Sequence, residues 1–337
     1  MSADPSRPLD VLIVGCGSIA GGFDAERSAT LPPLTHAGAF TRHGGFRLAG
    51  CVDPDDARRR AFMQRWAVPV GAASIPALAV APGRFDVISV CSPTVRHAAD
   101  LEAALALAPR LVFCEKPVTS SLVDTELWVA RFAAAGIPLA VNHTRRWAPD
   151  VEQLARELAS GAWGELRAVS AQYNKGVLNN GGHMVDLLQT LVGPLEVTAA
   201  GAPVWDFWDD DPSIPGLLRT AAGRPVQLNV AHAADYALFE LQLLTERGVV
   251  AMEDGGHSWR LRRVVESGTF KGYRCLGAAE EVAGSYPMAM SRAVANVFGA
   301  VSGHEALAST GLSALAAQRV CEQLRTLALA AIPQTSR

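Results

Sequence analysis

A glycine-rich turn directly after a short apolar run constrains the fold of this chain more than any other feature. Residues 10–14 have the β-branched composition of a buried strand, and Gly15 to Ala20 follow in the pattern G-x-G-x-x-G/A. In a dinucleotide-binding fold, Gly15 forms the tight turn, Gly17 lets a pyrophosphate approach the backbone, and Ala20 lets helix and strand pack. The sequence therefore predicts a dinucleotide-binding turn near the N-terminus.

An acidic residue at the end of the second predicted strand meets the next requirement of such a fold. This strand covers residues 46–52 and is followed by Asp53, whose carboxylate can accept hydrogen bonds from ribose hydroxyls. A carboxylate at this position repels a 2′-phosphate and favours NAD as the cofactor. Arg58 and Arg59 follow closely, so NADP remains an alternative.

The segment between Gly15 and Asp53 is longer than the usual twenty or so residues. The excess lies in residues 23–34, which include adjacent prolines at positions 32 and 33. We interpret this segment as an inserted loop, with a helix resuming over residues 35–43. A loop at this point could cover a cofactor or a substrate, and a solvated insertion without a role is the alternative.

Strand and helix patterns alternate through the first 142 residues. Further strand-like runs cover residues 85–91, 111–114 and 138–142, and helical patterns cover residues 54–66, 96–108 and 121–135. This alternation predicts an α/β fold with a doubly wound parallel sheet, the Rossmann arrangement. We expect this dinucleotide-binding domain to span residues 1–142.

One of these strands ends in Glu115-Lys116-Pro117. Ligands bind outside the carboxyl ends of the strands in a parallel α/β sheet, so we expect Lys116 to face a bound cofactor. Pro117 lacks an N–H group and fixes its own backbone, which ends the strand. The alternative is that Glu115 and Lys116 are only the solvated end of a strand.

The pattern changes after Pro149, where a helix over residues 151–160 is followed by several strand-like runs separated by short turns. These runs cover residues 165–173, 195–201, 226–233, 237–245, 249–253 and 259–265. They predict an α+β domain with an open, mostly antiparallel sheet over residues 143–337, serving substrate binding and oligomerisation. The terminal helix, about residues 311–330, is expected to pack back on the first domain.

A polar stripe lies on one face of a predicted helix in this second domain. Asn179, His183 and Asp186 are spaced i, i+4 and i+7, and the opposite face is apolar, with Met184, Leu187, Leu188 and Leu191. Asn179 or Asn180 is expected to cap the helix. A histidine within reach of a substrate hydroxyl can accept its proton near neutral pH, and a surface or capping histidine is the alternative.

Composition excludes several other classes of protein. The net charge is -3 and the basic residues are scattered, so no nucleic-acid partner is expected. The six cysteines lack tight ligand spacing, so we expect no metal site and buried thiols in a reducing compartment. No export signal and no run of 18 apolar residues is apparent. These features indicate a cytoplasmic protein without a membrane partner.

Taken in order, these segments resemble the glucose-fructose oxidoreductase/inositol dehydrogenase/MocA (Gfo/Idh/MocA) family of nicotinamide-dependent oxidoreductases. The matching segments are residues 15–20, 52–55, 91–94 with His97, 115–117, 142–147 and 176–188. The resemblance implies a Rossmann domain followed by an α+β domain, whose open sheet commonly makes dimer or tetramer contacts. It also implies a cis peptide bond before Pro117.

The resemblance further implies which residues form the site. The expected cofactor-binding residues are Gly15, Gly17, Ser18, Ile19, Asp53, Ser92, Pro93, His97, Glu115 and Lys116. The expected substrate-binding residues are Lys116, Asn142, Arg146, Tyr173, Lys175, Asn179 and His183. For Arg146 the alternative is that it simply ends a strand. The aromatic and acidic segment 205–211 is interpreted as a rim or a subunit contact.

The expected activity is hydride transfer between NAD, or NADP, and a secondary alcohol or ketone of a sugar, sugar nucleotide or cyclitol. Lys116, His183 and Asn179 are the candidate catalytic residues, and a homodimer or homotetramer is expected. The family usually has an aspartate four residues before the histidine, whereas this chain has Asn179, which cannot accept a proton. Asp186 is a candidate to orient His183 instead. The alternatives are a dinucleotide-binding sensor and a reductase of a non-sugar carbonyl or imine.

Overall fold

The structure is a computed structural model that describes residues 7–331. The chain divides into two compact units. The first unit comprises the described residues up to Trp147 together with Pro287–Leu315. The second comprises Ala148–Tyr286 and the described residues from Ala316 onward.

A six-stranded parallel sheet forms the centre of the first unit. Its strands are β1 (Leu9–Val14), β2 (Phe46–Val52), β3 (Gly71–Ala72), β4 (Val87–Val90), β5 (Leu111–Cys114) and β6 (Leu139–Val141). They lie in the order β3-β2-β1-β4-β5-β6. The helices that connect them are α1 (His36–Arg42), α2 (Asp56–Trp66), α3 (Thr94–Ala106) and α4 (Leu122–Ala134). The predicted Rossmann sheet is confirmed, and its strand order reverses between β1 and β4.

Apolar layers cover both faces of this sheet. Every residue of β1, β4 and β5 is buried, as expected for central parallel strands with uninterrupted apolar sequences. Neighbouring residues point to opposite faces, so Val87 and Phe113 join one layer with Phe40. Ile88 and Val112 join the other layer. Burial on both faces fixes the register in which the strands deliver their carboxyl ends to one edge.

The glycine-rich turn leads into a single helical turn and then into a loop. The N–H groups of Gly21 and Gly22 both donate to the carbonyl of Gly17 at 3.2 Å. Residues 25–35 form no helix or strand, and α1 begins at His36. The structure thus contains the predicted insertion, which separates α1 from the glycine-rich turn.

A buried carboxylate closes the inserted loop. The Asp24 side chain accepts hydrogen bonds from the backbone N–H groups of Leu34 and Thr35, each at 2.9 Å, and from the Thr35 hydroxyl at 2.7 Å. Arg27 adds an ion pair at 3.4 Å. Thr35 then caps α1, because its hydroxyl accepts from the N–H of Gly38 at 3.1 Å. The start of α1 therefore depends on Asp24.

A nine-stranded, mostly antiparallel sheet forms the second unit. Its strands are β7 (Leu166–Tyr173), β8 (Leu195–Ala200), β9 (Gly216–Thr220), β10 (Pro225–Val230), β11 (Phe239–Thr245), β12 (Gly248–Glu253), β13 (Ser258–Glu266), β14 (Arg274–Leu276) and β15 (Glu280–Ala283). Among the described strands of this sheet, only β7 and β10 pair in parallel. The predicted sheet class is confirmed, although the sequence pattern did not reveal β9, β14 and β15.

Two helices cover one face of this second sheet. They are α5 (Pro149–Ala159) and α6 (Gly181–Val192), which pack on each other, and α6 also contacts β7. Burial alternates along β7, where Val169, Ala171 and Tyr173 are buried and their neighbours are half-buried. The predicted apolar face of α6 is buried as well, with Met184 and Leu187 fully inaccessible.

The two remaining helices are α7 (Ala289–Val301) and α8 (Gly311–Ala330). Helix α7 belongs to the first unit and contributes Ala293 and Val297 to an apolar layer of the Rossmann sheet. Trp147 donates from its indole nitrogen to the Asn296 side chain of α7 at 2.9 Å. The first turn of α8 also packs in the first unit, through Leu315. Within residues 7–331 no helix is long and apolar enough to span a membrane.

Replacing Asp24 with alanine should destabilise the first unit by about 2–3 kcal/mol, because three donors would lose a buried charged acceptor. Urea unfolding followed by tryptophan fluorescence measures the effect. The control is Glu26→Gln, which removes an exposed carboxylate from the same loop. Equal unfolding midpoints for the two variants would show that Asp24 does not anchor the loop.

Candidate active site

The first glycine of the turn brings the ends of two neighbouring strands together. Gly15 has a φ of 87°, and a Cβ atom there would lie 2.7 Å from the backbone nitrogen of Ser92. Gly15 follows β1 and Ser92 lies just beyond β4, so the contact marks the place where the strand order reverses. Any side chain at Gly15 would both adopt an unfavourable backbone conformation and overlap the next strand end.

The second glycine faces open space. Apart from Gly17 itself and its two chain neighbours, no residue between 7 and 331 has an atom within 4 Å of a Cβ atom built on Gly17. Its neighbour Cys16 donates its backbone N–H to the Asp53 carboxylate at 2.9 Å, which fixes the turn against the end of β2. The space over Gly17 is therefore a cradle that a methyl group would fill, as close approach of a pyrophosphate requires.

Asp53 lies where the sequence predicted it, at the end of β2 and buried. Its carboxylate accepts from the N–H groups of Cys16 and Asp55, each at 2.9 Å, and the Arg58 guanidinium lies 3.5 Å away. An ionised carboxylate offers about four acceptor positions, so these two backbone bonds leave capacity for ribose hydroxyls. The residues present thus fit a bound dinucleotide.

Other predicted cofactor-binding residues surround the same turn. Ser18 is exposed, and Ile19 is half-buried against the apolar layer. The Ser92 hydroxyl donates to the Asp100 carboxylate of α3 at 2.7 Å, and Pro93 is the N-cap residue of α3. These residues stay predictions as cofactor contacts, and their backbone places them at the carboxyl edge of the sheet.

The predicted cofactor residue His97 is buried and bonded to the backbone. Its Nε2 atom lies 2.9 Å from the carbonyl oxygen of Ser92, and its Nδ1 atom lies 2.9 Å from that of Pro117. The imidazole therefore bridges the segments that follow β4 and β5. In this arrangement His97 holds the two strand ends in place, and a direct contact with the cofactor stays a prediction.

Glu115 forms a buried polar network with residues from three other elements. One carboxylate oxygen lies 2.8 Å from His36 Nε2 and 2.6 Å from the Asn142 amide nitrogen, which donates to it. The other ring nitrogen of His36 lies 2.7 Å from the Ser89 hydroxyl. The Thr144 hydroxyl donates to Asn142 at 3.0 Å. Glu115 and Asn142, both predicted site residues, thus bond to each other beneath the strand end.

The His36–Glu115 pair is an ion pair in the folded chain. Burial by itself would lower the pKa of His36, but Cys91 and Glu115 raise it to about 10. Burial likewise opposes ionisation of Glu115, yet the hydrogen bond and charge of His36 hold its pKa below the ordinary value. Both directions favour the charged forms, so the pair carries opposite charges at neutral pH.

Lys116 follows β5 and is half-buried. The peptide bond between Lys116 and Pro117 is cis, as the resemblance implied. Because β1, β4 and β5 are adjacent, the segments holding Gly15, Ser92 and Lys116 emerge side by side at one edge. Arg146, also predicted, lies after β6 and donates to the Ala308 carbonyl at 3.3 Å.

In the second unit, Tyr173 is a structural residue. It is fully buried at the end of β7, and burial raises the pKa of its hydroxyl far above the ordinary value. That hydroxyl donates to the Ile214 carbonyl at 2.8 Å and accepts from the Ile214 N–H at 3.0 Å. Both of its hydrogen-bonding directions are used, so direct substrate binding by Tyr173 finds no support here.

The segment from Lys175 to His183 holds the other predicted substrate residues. Lys175 has a φ of 66°, in the left-handed region, and its carbonyl accepts from the Asn179 amide at 3.0 Å. A π-helical turn, Gly176–Asn180, leads into α6, on which His183 is half-buried. Asn180 is the N-cap residue of α6, one of the two predicted positions, but its side chain makes no capping hydrogen bond.

Two features of the site escaped prediction from the sequence. His36 is separated from the glycine-rich turn by the inserted loop, so its pairing with Glu115 left no local pattern. Asp211 lies far along the chain from Asn179, yet its carboxylate accepts from the Asn179 N–H at 2.9 Å. Within the part of the chain that the structure describes, no His, Cys, Asp and Glu side chains are grouped to hold a metal ion.

Replacing Gly17 with alanine should leave the fold intact and weaken NAD binding by about tenfold or more, because the methyl group enters the pyrophosphate cradle. Thermal unfolding and fluorescence titration with NAD separate the two effects. Gly15→Ala is the contrasting variant, since its methyl group overlaps Ser92 and should lower stability. Unchanged NAD affinity in Gly17→Ala would contradict the cofactor assignment.

Replacing Glu115 with glutamine should cost about 3 kcal/mol at pH 7, since it leaves a buried imidazolium without its partner. The folded pKa of His36, about 10, exceeds its ordinary 6.5, so the pair's contribution is complete below pH 6.5 and is lost as pH rises through 10. The difference between wild type and variant should therefore shrink from pH 7 to pH 10, as measured by urea unfolding.

The matched control is Glu102→Gln, which removes an exposed carboxylate from α3. It should change stability little at either pH. A Glu115→Gln effect that stays constant over this pH range would contradict the ion pair.

Comparison with known proteins finds a family match for the Rossmann domain of the first unit. Residues 9–143 match the profile of the Gfo/Idh/MocA family, an oxidoreductase family with a NAD-binding Rossmann fold. The chain is 26% identical to inositol 2-dehydrogenase of Rhizobium meliloti (strain 1021) over 65% of its own length and 72% of that protein. It is 28% identical to D-apiose dehydrogenase of Paraburkholderia graminis, over 40% of the chain and 37% of that protein.

Solved structures share the fold of the whole chain. One is the WlbA dehydrogenase from Bordetella pertussis, in complex with NADH and UDP-GlcNAcA, with a TM-score of 0.76 and 18% identity over 97% of this chain and 98% of that one. Another is an oxidoreductase from Agrobacterium radiobacter, in complex with NAD+, L-tartaric acid and magnesium, with a TM-score of 0.74 and 18% identity over 96% and 97%. Residues 9–143 are thus a NAD-binding Rossmann domain of the Gfo/Idh/MocA oxidoreductase family, and the whole chain shares the fold of these solved structures.

Proposed function

We propose that this oxidoreductase transfers a hydride between NAD and a secondary alcohol or ketone of a sugar, sugar nucleotide or cyclitol. The observation that carries the proposal is the position of Lys116, which emerges beside the glycine-rich turn at the carboxyl edge of a NAD-binding sheet. The substrate class rests on relatives named as inositol and apiose dehydrogenases.

Bound NAD would supply the hydride acceptor, and the side chains of this chain would manage the substrate hydroxyl and its proton. The ammonium of Lys116 can donate a hydrogen bond to the oxygen of the reacting carbon and stabilise negative charge there. His183 has a ring nitrogen that can accept the hydroxyl proton near neutral pH. We assign Lys116 and His183 as the proton-handling residues on this basis.

The residues around the ribose position support NAD over NADP. Asp53 keeps a carboxylate at the end of β2, and a 2′-phosphate would meet that charge. Arg58 lies 3.5 Å from the same carboxylate and partly balances it, so some use of NADP remains compatible with the site. Competitive titration with NADH and NADPH decides between them, and tighter binding of NADPH would overturn the preference.

Substrate positioning is assigned to both units. In the first unit, Asn142 is fixed by Glu115 and Thr144. Arg146 lies in the short helical turn Thr144–Trp147 that follows β6. In the second unit, Lys175 has an ammonium 5.3 Å from the centre of the Phe207 ring. A basic side chain held in this way suits a hydroxyl or an anionic group on a substrate.

A dinucleotide-binding sensor is the second candidate function. Asn179 favours it, because the family aspartate four residues before the histidine is missing. Retention of Lys116 and His183 opposes it, since a sensor needs neither. A reductase of a non-sugar carbonyl or imine shares the proposed cofactor chemistry and differs only in the substrate.

We also propose that the protein is a cytoplasmic homodimer or homotetramer. The second sheet exposes Leu217, Leu244 and Val282, with 52%, 40% and 39% of their surface accessible, and such apolar side chains suit a subunit contact. All six cysteines are free thiols, and five of them are buried, which suits a reducing compartment. Light scattering at several protein concentrations tests the oligomer.

Replacing Lys116 with methionine should lower kcat by about 10²-fold or more while NAD affinity stays within a few-fold, because methionine fills similar space without a donor. Reduced nicotinamide is followed while a panel of sugars, sugar nucleotides and cyclitols is offered. The control is Lys271→Met, which removes an exposed ammonium from the second unit. Full turnover by Lys116→Met would contradict the assigned role.

A further inference from the structure

A loop of the second unit binds the backbone of the segment that precedes α6. We call residues 204–214 the acidic loop. Five consecutive N–H groups donate to it, each at 2.8–2.9 Å, and their acceptors are the side chains of Asp206, Ser213 and Asp211 and the carbonyl of Pro212. In chain order the donors are Lys175, Gly176, Val177, Leu178 and Asn179, and Asp211 accepts from the last two.

These donors are the groups that a helix start leaves without partners. The first N–H groups of a helix have no carbonyl of the same helix to bond, and side-chain caps or water usually take that role. Here the asparagine at the N-cap makes no side-chain bond, and the carboxylate of Asp211 takes two donors at once. A negative charge at this end also interacts favourably with the helix dipole.

The packing around Asp211 shows that its position is fixed. Asp211 is 8% exposed, and burial raises the pKa of its carboxyl. A Cβ atom on Gly176, whose φ is 90°, would lie 2.1 Å from an oxygen of Asp211, so the missing side chain makes room for the carboxylate. The second carboxylate, Asp206, accepts from the Ser213 hydroxyl at 2.9 Å as well as from the backbone.

Lys175 is held in a conformation that few side chains adopt unaided. Its left-handed backbone is held by two hydrogen bonds. The Lys175 N–H donates to Asp206, and the Lys175 carbonyl accepts from the Asn179 amide. Its ammonium lies over the Phe207 ring, which packs edge-on against Trp208 with ring centres 4.8 Å apart. Strained residues of this kind persist where their surroundings fix them and are often functional.

We propose that Asp211, with Asp206, is a positioning residue that sets the backbone of the substrate-binding segment 175–179 and, through it, the start of the helix that carries His183. The proposal rests on the proposed function for its effect on turnover. It gives the acidic loop a defined role in place of the predicted rim or subunit contact.

The same arrangement explains the amide at position 179. Asn179 donates its side-chain amide to the Lys175 carbonyl, whereas an aspartate could only face that carbonyl with another acceptor. An aspartate would also add a negative charge close to the buried carboxylate of Asp211. In this chain the Asn179 side chain therefore bonds to the turn, and Asp211 of the acidic loop binds the Asn179 backbone N–H.

Asp211→Asn tests the proposal, because it keeps the shape but turns an NH₂ group toward one of the two donors. The matched control is Asp209→Asn, an exposed carboxylate of the same loop with no hydrogen bond among residues 7–331. We expect kcat/KM to fall about tenfold in Asp211→Asn with a raised KM and unchanged NAD affinity. Hydrogen exchange of the amides of Leu178 and Asn179 should accelerate in this variant alone.

Two further variants test the positioning role if Asp211→Asn does not fold. Asp206→Asn should raise KM and speed exchange at the amide of Lys175. Asn179→Asp should lower kcat/KM, and adding Asp211→Asn to it should recover part of that loss by removing the like charge. A rise in kcat for Asn179→Asp would overturn the proposal, since it would mean that a proton relay had been restored.

The outcomes separate this inference from the function on which it rests. Equal kcat/KM for Asp211→Asn and Asp209→Asn, with an active wild type, overturns the positioning role. A wild type that is inactive on the whole substrate panel contradicts the proposed function instead. In that case the exchange measurement alone decides, and unchanged exchange at Leu178 and Asn179 overturns the inference.

Discussion

The buried ion pair between His36 and Glu115 is the interaction on which the site in the first unit depends. Glu115 directly precedes Lys116, and His36 is the first residue of α1, so the pair joins a strand end to the helix that follows the inserted loop. A buried charge without its partner costs far more than the pair contributes, so neither side chain can move away alone. The backbone that presents Lys116 is fixed as a consequence.

The inserted loop is part of the same arrangement. Asp24 closes the loop and leads into Thr35, which caps α1 and delivers His36 to its partner. On the other side, His97 bridges the segments after β4 and β5. In the second unit, the backbone is likewise fixed by polar bonds. There the acidic loop accepts hydrogen bonds from five consecutive backbone N–H groups before α6. In both units, buried polar bonds fix the backbone from which the predicted site residues project.

The sequence revealed what local patterns encode. The apolar strands, Gly15, Gly17 and Asp53 were predictable because the turn requires these residue types at fixed positions relative to β1 and β2. Strands β9, β14 and β15 were not, because they are short and include exposed residues, whereas the equally short β4, β5 and β6 are buried, mostly apolar runs.

Contacts between distant residues were harder to foresee. His36 pairs with Glu115 across 79 positions, and Asp211 bonds a backbone 32 positions away. Backbone N–H groups are present at every residue, so a side chain that binds them leaves no complementary residue type to recognise. Tyr173 matched a substrate-binding position of the family. The sequence did not show that its hydroxyl would instead bond to the Ile214 backbone.

Isotope transfer distinguishes the proposed direct hydride transfer at the edge of the Rossmann sheet from other routes. The wild-type enzyme is incubated with NAD+ and with a sugar or cyclitol deuterated at the carbinol carbon, and the nucleotide is analysed by NMR. With direct transfer, we expect deuterium at C4 of the reduced nicotinamide. Release of the deuterium into water, or a nicotinamide that stays oxidised with every member of the panel, would contradict it.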